Sequence, residues 1–180
     1  MLQLSAETVG WAAGNAYQGG TGTVSENKKS TAGTEETDPA ATMGLQMYRD
    51  LNMSSDAVIH LMPRVHDERI KTGMSAALCF YEKTAGKVRN ILTDRGIEAK
   101  QENPMSKMAA HMGIVMNTAI DATDSHIAQM VIEGSTMSIT EAVKLRNQYR
   151  DRPGCGELVT LANDIAEFED RNIQNMKQFL

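Results

Sequence analysis

The residues of this chain that could do chemistry are carboxylates and histidines spread along helical patterns. The densest group is Asp121-Ala-Thr-Asp124-Ser-His126, continuing through Glu133 to Gly134-Ser-Thr-Met137. Carboxylate oxygens suit hard cations such as Mg, Ca or Mn, and imidazole suits Zn or Fe. At one level of a helical bundle, Asp50, Glu82, Asp121 and Glu169 would present a carboxylate from each helix, with His126 a little over one turn from Asp121. The candidate metal ligands are therefore Glu82, Asp121, His126 and Glu169. The competing reading is stronger. Asp50, Asp121 and Glu169 flank their apolar stripes, and flank carboxylates of a bundle normally face solvent or an interface. His126 is the best candidate for a functional histidine, since its neutral form binds metal or moves protons near neutral pH. The same position suits a core or interface histidine with satisfied hydrogen bonds.

Other reactive side chains carry less. Met105, Met108, Met112 and Met116 could offer thioethers to Cu(I) near Cys79, but a methionine stripe at helical spacing is ordinarily core. Two cysteines, Cys79 in a helical run and Cys155 in a Pro-Gly-Cys-Gly loop, are too few for a disulfide framework or a four-cysteine zinc site and read as free thiols. Nothing sets either beside a base, so no catalytic residue is assigned and the cofactor stays open. Gly19-Gly20-Thr21-Gly22 lacks the preceding strand and the Lys-Ser/Thr ending of a phosphate loop.

The elements that must position these groups are helices. Aromatics make up 4% of the chain and methionines number 13, which suits helix interiors filled by flexible, unbranched side chains. A net charge of −5 with dispersed Lys and Arg offers nothing to match a phosphate backbone, so nucleic acid is excluded as a partner. No apolar run approaches the roughly 18 residues of a membrane span, and residues 1–27 contain no Lys or Arg for a secretory signal. These features place the protein in the cytoplasm.

Residues 1–39 read as a flexible Gly/Ser/Thr-rich arm, in which Trp11 and Tyr17 are suited to docking on the bundle or a neighbouring subunit. Residues 40–180 read as the bundle. A first helix follows Met43, Met47, Leu51, Val58 and Leu61 and stops near Pro63. A second, capped by Asp67, runs over 68–95 to Gly96. A third begins at Asn103-Pro104 and breaks at Gly134-Ser-Thr. Ser138-Ile-Thr-Glu141 has capping-box spacing and predicts a short extra helix over 139–149. A last helix presents Leu158, Leu161, Ile165, Phe168, Asn172 and Met176. Four such stripes, joined by short turns, pair most simply as an all-α antiparallel four-helix bundle.

Residues 40–180 resemble ferritin-like four-helix-bundle proteins of an uncharacterised bacterial family. The likeness lies in Pro63-Arg-Val-His-Asp-Glu68, Cys79-Phe-Tyr-Glu82, Ser125-His-Ile-Ala-Gln-Met130, Gly134-Ser-Thr-Met137 and Phe168-Glu-Asp-Arg-Asn172. It implies a fold and no particular reaction. Metal-loaded members of that architecture pair glutamates with two Glu-x-x-His motifs, yet no glutamate here is followed by histidine at that spacing. The expectation is a non-catalytic structural or protein-interaction module that self-associates or binds a protein partner. The alternative is a metal-binding protein or metal-dependent oxidoreductase holding a divalent ion in a non-standard carboxylate and histidine site.

Overall fold

The computed structural model describes residues 38–99 and 123–180. Their secondary structure is helical, with no strand among the described residues. The first helix, α1, spans Pro39–Leu61. Asp38 opens it by accepting the Ala40 amide at 3.0 Å, and Pro39 occupies a first-turn position whose amide has no helical partner anyway. Pro63 ends it in a single 3-10 turn, Met62–Arg64. Asp67 then accepts the Arg69 amide at 2.7 Å and starts α2, Glu68–Thr93. Gly96, at φ 71°, takes the left-handed conformation that turns the chain away from the end of α2.

The helix α3 is Asp124–Tyr149, opened by Thr123, whose hydroxyl accepts the His126 amide at 3.2 Å. It runs unbroken through Gly134-Ser-Thr, which overturns both the expected break and the separate short helix over 139–149. Gly134 sits on an open surface where an added methyl group would meet no neighbouring atom, so its cost is only the modest loss of helix propensity, about 1 kcal/mol. Burial of Ile127, Ala128, Ser135, Ala142 and Tyr149 on one side of α3 outweighs that loss. The expected capping box does not form. Glu141 pairs with Lys144 at 2.6 Å instead, and Ser138 lies within the helix. The segment 104–122 of the expected third helix, its methionine ladder and residues 1–37 of the N-terminal arm lie outside the described residues. The last helix, α4, is Gly156–Met176, followed by the 3-10 turn Lys177–Phe179.

Contacts at the helix ends show how the four pack. The start of α1 meets the end of α2: Asp38 pairs with Arg95 at 3.7 Å, and Gly44 lets Leu92 approach its backbone closely. Arg95 also donates to the Gly154 carbonyl in the turn between α3 and α4, at 2.8 Å. At the other end, Asp124 in the first turn of α3 accepts the backbone amides of His66 and Asp67, both at 2.8 Å, just before α2 begins. There too the end of α4 meets α2, where Met176 reaches Gly73. The core between them contains Met43, Met47, Ile70, Met74, Leu92, Ile127, Leu158 and Met176, all without appreciable exposure. No helix among the described residues is long and apolar enough to cross a membrane.

Candidate functional site

Helical spacing brings five polar side chains together midway along the bundle. On α2, Ile70, Met74, Ala77 and Tyr81 follow one another at three- and four-residue steps, so the buried stripe carries Tyr81 inward. On α4, Ile165, Glu169, Asn172 and Met176 do the same, and Glu169 and Asn172 share a face. From α3 come Ser135 and Ser138. The Tyr81 hydroxyl donates to Glu169 Oε1 at 2.8 Å, and the Asn172 amide donates to Ser135 Oγ at 3.1 Å. Phe168 stacks on Phe80 at 4.0 Å between ring centroids and meets Tyr81 edge-on at 6.0 Å, an aromatic group flanking the hydrogen bond.

Glu169 has no exposed surface. Burial pushes its carboxyl up from the ordinary carboxylate range, while Ser135, Tyr81, Ser138 and Asn172 around it favour the ionised form and offset part of that push. These neighbours do not satisfy the group fully: Oε2 is buried and meets no donor in hydrogen-bond geometry among the described residues. Tyr81 is pushed strongly up, first by burial and then by the facing carboxyl, so its phenol stays protonated and remains a donor. Chemically, the arrangement is a closed carboxyl that can hold or release one proton against a fixed phenol donor.

The structure distributes the expected metal ligands differently. Glu82 follows Tyr81 on α2 but is exposed. His126 is half-buried at the first turn of α3, and Asp121 lies outside the described residues. Glu169 is a core residue, which corrects its reading as a flank carboxylate. No three His, Cys, Asp or Glu side chains gather into a possible metal group among the described residues. Both cysteines are free thiols: Cys79 is exposed, whereas Cys155 is buried and its thiol is pushed up by burial and by the charge of Asp38.

Sequence reasoning missed Tyr81, Ser135 and Ser138 as neighbours of Glu169. A signal for Glu169 itself was present, since it stands four residues after Ile165 and three before Asn172, inside the stripe already assigned to α4. Ser135 was hidden by being read as part of a helix break. Compared with family models, curated proteins and solved structures, the chain matches none of them.

Proposed function

We propose that this chain is a ferritin-like antiparallel bundle that serves as a non-catalytic structural or protein-interaction module and associates with a second copy of itself. The ferritin-like part rests on the helix ends. Asp124 ties the start of α3 to the start of α2, while Arg95 ties the end of α2 to the turn after α3. Thus α2 and α3 run the same way, and the end of one lies a bundle length from the start of the next. A long connection between the second and third described helices, which run the same way, is of the kind that sets ferritin-like bundles apart from simple up-and-down ones.

The module reading is carried by the placement of Glu169. The Glu169 carboxyl is closed off from solvent and joins α4 to α2, a position that sets helix register and cannot meet a substrate without opening the bundle. The surface available for association includes Met53 and Met137, about half exposed, and methionine adapts readily to a partner surface. Sedimentation velocity over a range of concentrations tests this reading directly. A concentration-dependent dimer supports it, and a monomer at every concentration counts against self-association.

A further inference from the structure

Among the described residues, Glu169 is the one acidic or basic side chain buried in the core. A buried carboxyl is tolerated only with a basic partner, a metal or a proton, because an isolated charge in the interior loses its hydration. The groups facing it from each described helix packed against it are neutral. From α2 comes the Tyr81 phenol, from α3 the Ser135 and Ser138 hydroxyls, and from α4 the Asn172 amide. Glu82, the ionic neighbour of Tyr81, is exposed, and no Lys, Arg or His among the described residues pairs with Glu169. Oε2 has no partner in hydrogen-bond geometry among those residues, so no fixed donor holds a charge on that oxygen.

We propose that Glu169 holds a proton in the closed bundle and works as a proton-linked latch between α2 and the α3–α4 pair. Neutral, the carboxyl accepts the Tyr81 hydroxyl through Oε1 and keeps its proton on Oε2, so the three helices close over it. When that proton passes to hydroxide or water, a charge with no counter-ion among the described residues remains inside the seam, and the seam loosens. The seating of α2 on α3 and α4 is therefore tightest in acid and weakens as pH rises through the titration of Glu169. This holds whether or not the bundle self-associates.

The test is a pH titration of the full chain, stripped of metal with a chelator and labelled with carbon-13 at the glutamate carboxyl carbons, read by NMR. One signal is expected to titrate well above the others and to be missing in Glu169→Gln. All glutamates titrating together, or a late signal that survives in Glu169→Gln, would overturn the proposal. Thermal melts give a second reading. The midpoint of the wild type should fall below that of Glu169→Gln by a further amount of about 3 °C for each pH unit gained in the linkage window, and parallel midpoints would count against it. Should Glu169→Gln not fold, Tyr81→Phe serves, because loss of the donor that favours the charged form moves the late titration higher. An unmoved titration in that variant, or loss of the late titration on adding diamagnetic Zn(II) or Ca(II), would show that the carboxyl is not a proton latch.

Discussion

Two carboxyls in this bundle respond to pH in opposite directions because their surroundings differ. Glu169 is raised by burial. A group whose folded value lies above its unfolded one stabilises most in acid, so its contribution declines as pH rises from the unfolded value toward the folded one. Asp67 behaves oppositely. Its carboxyl is held down from 3.8 to about 2 by the Arg69 side chain and the Arg69 amide, so its contribution is present above 3.8 and disappears as pH falls through about 2. Melting curves of wild type and Asp67→Ala should therefore differ by a constant amount above about pH 5 and converge in strong acid; a difference that persists undiminished near pH 2 would remove Arg69 as the cause. Replacing Glu169 by Ala leaves the Tyr81 hydroxyl buried without a partner and should cost about 1–3 kcal/mol in urea unfolding, more than Glu169→Gln at neutral pH. The sequence made Glu169 visible as a candidate, but for a metal on a helix flank. Its burial was readable from the stripe through Ile165 and Asn172. Its bond to Tyr81, 88 residues away in the chain, was not, because helix spacing fixes a face and leaves the level of one helix against another open.

At the scale of the helix, two glycines separate propensity from packing. Gly134 is exposed on α3 with open space around it, so Gly134→Ala should stabilise by about 0.5–1 kcal/mol, which urea unfolding would register. A loss of stability there would mean that the backbone at 134 is not ordinary helix. Gly44 on α1 is the reverse case. A methyl group built on it would lie 2.9 Å from Leu92 Cδ2, so Gly44→Ala should destabilise by about 1–2 kcal/mol despite the better helix former. The end of α1 and both ends of α2 were legible because Pro63, Asp67 and Gly96 act through local sterics and hydrogen bonds. The continuity of α3 was not, since Gly134-Ser-Thr and Ser138-x-x-Glu141 imitate a stop and a start. Tertiary burial of Ser135 and Ala142 decides the matter, and that information lies in the partner helices rather than in the segment.

For the whole molecule, the seam where α1 and α3 face one another holds an open groove. The seams of α1 with α2 and of α3 with α4 are joined by short turns, whereas α1 and α3 leave between them a groove of about 400 Å³ lined by Thr42, Leu45, Gln46, Arg49, Leu145 and Tyr149. Helical steps carry the same faces onward: Met53 stands seven residues beyond Gln46, and Met137 eleven before Gln148, another residue of the groove. Both methionines are about half exposed, 43% and 48%. A second copy binding along this seam would cover them, and it would also brace the two helix pairs against each other. The double variant Met53→Lys, Met137→Lys places like charges on that surface while leaving the core intact, so its unfolding free energy should change by no more than about 1 kcal/mol in all. Its self-association, followed by sedimentation velocity at matched concentrations, should weaken by at least about tenfold, the effect expected when charge is added to a methionine contact of about 1.4 kcal/mol or more. Association equal to that of the wild type would place the interface elsewhere, and the α1–α3 seam would then be a surface groove with no part in assembly.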